Sequence, residues 1–360
     1  MLVWAGIAGG LVLLVGGGEL LVRGASRVAT IFGLSPLVIG LTIVAFGTSA
    51  PELAVSLQAV HAGAADVAVG NVIGSNIFNV LFILGVSALL IPLTVTRRIV
   101  RVEVPIMIGI SVLTLVAALD GRLGRIDGLI LLLVAMTYTG WLLRNGAGEL
   151  PNGGGAHQEP AGPGALAAVL TAAAGLALLV AGARFLAQGA VALAQAYGVS
   201  DAVIGLTIVA AGTSLPEVAA SVAAALHGQR DIAIGNVVGS NIFNLAVILG
   251  LTALTADGVA VAPGLLRFDA VVMLAVAVAC LPIFFTGHAI ARWEGGLFLG
   301  YYAAYTLYLV LDATGHDYLA PFRDAMLYFA VPLTAVTLAV LWAQAAVQHR
   351  RGGSSASRQG

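Results

Sequence analysis

The chain has 360 residues, of which 60% are hydrophobic and only 9% charged, and its mean hydropathy is +1.03. A soluble globular domain carries about 25% charged residues, so the composition excludes one and indicates a polytopic membrane protein. A formal net charge of -1 leaves no basic surface for nucleic acid, and a single cysteine, Cys280 in an apolar run, excludes an intrachain disulfide framework or a thiolate metal site.

The N-terminus, Met1-Leu2-Val3-Trp4, enters an apolar segment with no basic n-region and no small-residue cleavage site, so it reads as a first spanning helix rather than a removed signal peptide. About 20 apolar residues cross a hydrocarbon core. On that ruler eleven spans follow in order: residues 2–21, 32–60, 67–91, 102–119, 126–143, 165–186, 199–226, 232–254, 270–285, 295–311 and 325–347. The first and sixth are expected to run further, because the stretches before Gly33 and Gly198 stay helix-compatible. Residues 145–164, N-G-A-G-E-L-P-N-G-G-G-A-H-Q-E-P-A-G-P-G, are too polar and too rich in Gly and Pro to bury anything. The expected organisation is a first five-helix repeat over 1–144, a cytoplasmic linker over 145–164 and a second five-helix repeat over 165–312. An extra transmembrane helix within 313–349 and a polar, disordered cytoplasmic tail over 350–360 complete it.

The halves are repeats in the literal sense. Residues 38–56, V-I-G-L-T-I-V-A-F-G-T-S-A-P-E-L-A-V-S, return 165 positions later as V-I-G-L-T-I-V-A-A-G-T-S-L-P-E-V-A-A-S, with all but four of nineteen positions identical. The same offset lays G-N-V-I-G-S-N-I-F-N at 70–79 onto G-N-V-V-G-S-N-I-F-N at 235–244. Five spans per half is an odd number, so the second copy enters the membrane upside down, and the fold class is an all-α inverted repeat plus one extra helix. The arginines test this, since all sixteen basic residues are arginine and cytoplasmic loops collect positive charge. With the N-terminus outside, eleven fall inside (Arg23, Arg27, Arg97, Arg98, Arg101, Arg144, Arg230, Arg292, Arg350, Arg351, Arg358) and four outside (Arg122, Arg125, Arg267, Arg323), with Arg184 inside a helix and uncounted. The expected location is a bacterial or archaeal cell (inner) membrane, with the N-terminus out and the C-terminus in.

Ionisable groups within the membrane are costly, at least ~2.5 kcal/mol for a carboxylate at its centre, and usually functional. Glu52 and Glu217 are such groups, paired by the duplication. Pro51 and Pro216 lack an N–H, and Gly47 and Gly212 weaken the helix, so each G-T-S-x-P-E should kink or unwind and leave carbonyls unpaired. Thr48 and Ser49 lie four and three residues before Glu52, on its face if helical geometry persists, and Ser75 and Asn79 are four apart in the next helix. The second half repeats the set as Thr213, Ser214, Glu217, Ser240 and Asn244. Carboxylates, hydroxyls and amides without thiolate or imidazole suit a hard cation such as Na⁺ or Ca²⁺. Two glutamates supply a charge of -2, which one Ca²⁺, several Na⁺ or protons neutralise. If only neutralised states cross cheaply, one ion must return for another to leave, which is antiport. A lone G-T-S-x-P-E is compatible with a packing kink, and a lone G-S-N-I-F-N with a small-residue helix contact; two copies in register on an inversion are not.

These repeats resemble those of the sodium/calcium exchanger family of the calcium/cation antiporter superfamily, in its prokaryotic form, specifically over residues 15–85 and 180–250. The resemblance implies a ten-helix core and electrogenic exchange of three Na⁺ for one Ca²⁺. It implies that Glu52 and Glu217 bridge the cation sites, and that Thr48, Ser49, Thr213, Ser214, Ser75, Ser240, Asn79 and Asn244 are ligands. It adds the backbone carbonyls of Ala45 and Ala210, and makes the first and sixth helices the sliding gate. Asn79 and Asn244 are both neutral where some relatives carry an aspartate associated with K⁺, which argues for K⁺ independence. No resident cofactor and no protein partner are implied; the partners are Na⁺, Ca²⁺ and the lipid bilayer. The eleventh helix has no counterpart in the ten-helix core.

Other polar residues carry less. Glu19 and Arg184 are equivalent in the two gating helices and are candidates for a pair or a gate marker, or equally for a snorkelling or lipid-facing role; Glu103, near Arg101, reads as an interfacial charge; and no histidine is mid-helix. H⁺/Ca²⁺ antiport is the alternative in the same architecture, although relatives that do this carry Gly-Asn-Ala ahead of the acidic residue. An intramembrane protease lacks a Ser/His or paired Asp arrangement here, and a passive cation channel would conduct without a counter-ion.

Overall fold

The computed structural model describes residues 2–146, 164–198, 204, 207–208, 210–256 and 258–356. Most of the predicted linker lies outside them. The chain is an all-helical, multi-span membrane protein. The first half comprises α1 (Leu2–Phe32), α2 (Pro36–Thr48), α3 (Ala50–His61), α4 (Ala65–Leu90), α5 (Ile99–Ala117) and α6 (Arg125–Gly146). The second comprises α7 (Ala165–Ala196), α8 (Ala210–Thr213), α9 (Leu215–Leu226), α10 (Arg230–Thr255), α11 (Leu265–Phe285) and α12 (Arg292–Ala313). An extra span, α13 (Leu319–Gln344), follows. Eight of the described helices are long and apolar enough to cross a membrane, and α2 with α3 makes a ninth span bent by 42°. The C-terminal helix continues to Ala356 where the sequence predicts a disordered tail; extending a helix already nucleated costs far less than starting one.

As expected, α1 and α7 run past residues 21 and 186. Each ends on a glycine with positive φ, Gly33 at 64° and its repeat mate Gly198 at 76°, a conformation that suits glycine as a helix stop. The two helices are antiparallel and form the most extensive helix contact among the described residues. Glycines spaced by seven make this possible: Gly10 meets Gly182, Gly17 meets Gly175, and Gly24 meets Ala168 and Ala172. A Cβ on Gly17 would lie 2.8 Å from both the Gly175 oxygen and the Leu179 nitrogen, so the backbones touch directly. The same crossing keeps Glu19 from Arg184. Gly17 faces Gly175, which puts Arg184 eleven residues, about 16 Å, beyond the point that Glu19 faces. Glu19 instead pairs with Arg23 on its own helix, 4.0 Å from His227.

At the centre, α4 and α10 are the most buried spans. Short strands lace the halves together: β1 (Leu93–Thr94) pairs antiparallel with β4 (Ala289–Ile290), and β2 (Arg122–Leu123) with β3 (Val259–Ala260). Each ladder takes one strand from each half. The helices cross over in the same sense, Gly85 against Gly295 and Gly128 against Gly250.

Glu103 corrects a sequence expectation. It is fully buried against neighbouring helices, and instead of standing beside Arg101 it accepts hydrogen bonds from Arg98 Nε at 2.9 Å and Tyr138 Oη at 2.5 Å. The Arg98 guanidinium lies 5.5 Å from the Trp141 ring centroid. Arg101, two residues before Glu103, points the other way and is exposed, because positions i and i+2 of a helix do not share a face. The second half has the equivalent clasp, in which Tyr305 Oη donates to Asp269 Oδ1 at 2.7 Å.

The glycine seam predicts that Gly17→Leu will force α1 and α7 apart and destabilise the fold by about 1–3 kcal/mol, read as a lower thermal midpoint in detergent. Gly16→Ala, with nothing within 4 Å of its Cβ, should leave the midpoint unchanged.

Candidate cation site

Both helices break where the G-T-S-x-P-E motifs predict. Ser49 (φ -82°, ψ 6°) and Ser214 (φ -89°, ψ 7°) leave the helical region, and the next helices, α3 and α9, each start with a proline in the first turn. Pro51 and Pro216 have no N–H to return to the carbonyls four residues back, so the break costs little at these positions. It places Glu52 and Glu217 in the first turns of α3 and α9, where the unsatisfied N–H groups of a helix start favour negative charge. Both carboxylates are completely buried.

The hydroxyl pattern differs from the sequence expectation in one respect. Ser49 Oγ donates to Glu217 Oε1 at 2.9 Å, and Ser214 Oγ to Glu52 Oε1 at 2.8 Å. Each serine therefore serves the carboxylate of the other repeat, not its own. The cause is the break itself: with Ser49 and Ser214 out of helical geometry, the i to i+3 alignment with the following glutamate is lost.

The threonines turn to the neighbouring long helices. Thr48 Oγ1 lies 3.1 Å from both Asn236 Oδ1 and the Val44 carbonyl and 3.4 Å from the Ala45 carbonyl, while Thr213 Oγ1 lies 3.4 Å from Asn71 Oδ1. Asn71 and Asn236 were not among the predicted ligands, yet they frame the site. Asn71 Nδ2 donates to Ser56 Oγ at 3.1 Å and the Glu52 carbonyl at 3.3 Å; Asn236 Nδ2 donates to Ser221 Oγ at 2.9 Å and the Glu217 carbonyl at 3.4 Å. A sequence signal existed for all four, since Asn71 and Asn236 lie four residues before Ser75 and Ser240, and Ser56 and Ser221 four after the glutamates.

On α4 and α10, Ser75, Asn79, Ser240 and Asn244 are all buried. Ser75 Oγ is 3.1 Å from Ser214 Oγ, and Asn79 Nδ2 donates to Asn241 Oδ1 at 3.0 Å. Asn79 and Asn244 each open a π-helical turn, Asn79–Leu84 and Asn244–Ile248, a distortion frequent at functional sites. The carbonyl of Ala45 accepts from the Ser49 N–H at 3.0 Å, and Ala210 begins α8.

Buried polar atoms are normally paired. Here Glu52 Oε2, Glu217 Oε2, Asn79 Oδ1, Asn244 Oδ1 and Ser240 Oγ have no hydrogen-bond partner among the described residues. Four of them are acceptor-only oxygens and the fifth is a hydroxyl, which is the donor set of a hard cation. No group of three or more His, Cys, Asp or Glu placed to hold a metal ion occurs among the described residues.

Comparison with known proteins places the chain in a family. Residues 2–144 and 167–311 match the family described as sodium/calcium exchanger protein. The chain belongs to the sodium/calcium exchanger family. Among relatives, it is 42% identical over 285 residues to the putative antiporter CaxA of Alkalimonas amylolytica, covering 76% of this chain and 86% of that one. It is 35% identical over 337 residues to the sodium/calcium exchanger MaX1 of Methanosarcina acetivorans, covering 83% and 96%. A solved structure of the sodium-calcium exchanger NCX_Mj, soaked with Na⁺ and Sr²⁺, superimposes with a TM-score of 0.73 at 32% identity, covering 87% of this chain and 98% of that one. As a member of this exchanger family, the chain is a cation/Ca²⁺ antiporter rather than an enzyme.

The amide frame makes a prediction separate from transport. Asn236→Ala strips the partner from Ser221 and one partner from Thr48, both buried, and should cost about 1–3 kcal/mol. The readout is a lower thermal midpoint in detergent with unchanged helical circular dichroism.

Proposed function

We propose that this exchanger couples Na⁺ to Ca²⁺ movement, without K⁺ and with net transfer of charge, at a site built from Glu52 and Glu217. The observation that carries the reading is reciprocal bonding. Each glutamate takes a serine hydroxyl from the opposite repeat on Oε1 and keeps Oε2 without a hydrogen bond, at a fully buried point where both repeats break. Thr48, Ser49, Ser75 and Asn79 from one half and Thr213, Ser214, Ser240 and Asn244 from the other supply the neutral oxygens, with the carbonyls of Ala45 and Ala210.

Coulomb energy and desolvation give the coupling. Two buried carboxylates at one junction repel each other and are costly to carry through hydrocarbon. One Ca²⁺ cancels their charge, and three Na⁺ overcompensate it by one, so a full cycle moves one net positive charge. The empty, doubly negative state does not cross, which prevents leak. Discontinuous helices at the junction of an inverted repeat suit alternating access, and α1 with α7, in direct backbone contact through glycines, is the layer that slides. Two asparagines at 79 and 244 leave no third carboxylate for K⁺.

The same reading divides the chain into halves 1–144 and 165–312, linked by 145–164, with the extra helix in 313–349 and a cytoplasmic end at 350–360. It puts the N-terminus outside and the C-terminus inside a prokaryotic cell membrane, as the arginine bias of eleven to four favours.

Proteoliposomes loaded with Na⁺ and diluted into Na⁺-free, K⁺-free medium should take up Ca²⁺, more slowly under an inside-negative potential because net positive charge leaves. Uptake that ignores the Na⁺ gradient and follows a pH gradient instead identifies H⁺/Ca²⁺ antiport. Glu52→Gln and Glu217→Gln should each reduce exchange at least about a hundredfold, as expected for losing one charge from a buried site at ~3 kcal/mol or more, while the protein stays folded.

Acid should inhibit exchange, because protons and cations compete for the same carboxylates. Activity should fall as pH drops from about 8 to about 5, and higher Ca²⁺ should restore it; a flat profile removes the glutamates from the site.

A further inference from the structure

The extra helix α13 touches the rest of the protein at few points. Tyr301 Oη donates to Thr334 Oγ1 at 2.6 Å, and the ring centroids of Phe285 and Trp342 are 6.1 Å apart. Between α11, α12 and α13 lies a cavity of about 610 Å³, within the usual range of about 300–1,000 Å³ for small-molecule sites. Its walls are apolar, with Phe268, Val272, Ala279, Tyr308, Met326 and Leu338 among them. Along α11 it runs from Arg267 to Ile283, sixteen residues or about 24 Å, against about 15 Å for one leaflet of a ~30 Å hydrocarbon core. Its length and apolar lining suit one flexible acyl chain.

One end of this channel is charged. Arg267 and Arg323 both line it. The guanidinium of Arg267 has no ion-pair partner among the described residues. Arg323 pairs with Asp324 at 3.1 Å, both about half exposed, and Asp269 is held by Tyr305. Asp312 is exposed. The end of the channel thus offers one uncompensated guanidinium and a second that is partly compensated, a match for a single negative charge. A headgroup of several negative charges would meet Asp312 and Asp324.

We propose that α11, α12 and α13 bind one glycerophospholipid, its acyl chain along the channel and its phosphate diester against Arg267 and Arg323. Guanidinium groups bind phosphate oxygens in paired, charge-assisted hydrogen bonds, and the acyl chain replaces loosely packed wall with continuous contact. On the orientation proposed above, the lipid belongs to the outer leaflet. The site gives α13 a role that the ten-helix duplication does not, as the third wall of the channel. It also lies behind the exchange site, since Leu81, in the channel lining, is on the same π-helical turn as Asn79.

Native mass spectrometry of the full-length protein, released from bilayers of phosphatidylethanolamine and phosphatidylglycerol into mild detergent, tests this without reference to transport. One phospholipid should survive detergent exchange on the wild type. Arg267→Gln with Arg323→Gln should cut the lipid-bound fraction at least fivefold, and Ala279→Trp, which fills the channel, should abolish it. Equal retention by the variants, no retained phospholipid on the wild type, or equal retention of a free fatty acid overturns the proposal. A second measurement needs no variant: a phospholipid with a photoreactive acyl chain should label α11, α12 and α13 preferentially, and even labelling of all lipid-facing helices overturns it.

Discussion

The structure depends on one exchange of hydrogen bonds: Ser49 to Glu217 and Ser214 to Glu52. Each bond joins a hydroxyl of one repeat to a carboxylate of the other, so neither repeat holds a finished site. A buried carboxylate without hydrogen-bond donors or counter-charge is among the costliest groups a fold can carry. The halves must therefore dock before either glutamate is tolerable. The docking is secured at a distance from the site, by the two mixed ladders of β1 with β4 and β2 with β3, and by the glycine crossings of Gly85 with Gly295 and Gly128 with Gly250.

The two helix layers answer to different physical demands. Around the glutamates, Asn71 and Asn236 tie the broken helices to α4 and α10 through their own hydrogen bonds, with Ser56 and Ser221 as second partners. Breaking such a network leaves buried polar atoms unpaired, which makes it stiff. The contact of α1 with α7 is built differently, glycine backbone against backbone, with Leu14, Leu21 and Leu179 buried beside the glycines. The amide network cannot shift without breaking bonds.

Much of this was legible in the sequence, and the exceptions have identifiable causes. The duplication exposed the inversion, the broken helices and the two buried glutamates with the serines that bond them. It did not tell which carboxylate each serine serves, because the breaks that create the site also end the helical rule used to place the serines. Glu103 was misread because its partners, Arg98 and Tyr138, are identified only in three dimensions. Its repeat mate was hidden too. The offset between halves is 165 at the motifs, but the π-helical turn Ile99–Glu103 corresponds to Leu265–Asp269, at 166, and the start of α6 at Arg125 corresponds to Arg292, at 167. Only with those drifts do Glu103 and Tyr138 map onto Asp269 and Tyr305. Loop insertions between spans change the register of a repeat without changing its fold.

The repeat is not obeyed in full, and the departures matter. Ser214 reaches Ser75 and Asn79 donates to Asn241, but the equivalent atoms, Ser240 Oγ and the amides of Asn244 and Asn76, make no hydrogen bonds among the described residues. The sequences of these segments are nearly identical, so side-chain chemistry does not cause the difference. On the alternating-access reading proposed above the difference is expected, because a strictly two-fold arrangement of an inverted repeat would relate the two sides of the membrane by symmetry, and a site in it would be open to both faces or to neither. A carrier that opens to one face at a time must hold its two halves in unlike conformations, and unlike conformations of like sequences show first in which side chains reach each other. On that reading, the unequal bonding of Asn79 and Asn244, which open the two π-helical turns, is what such unlike conformations would produce.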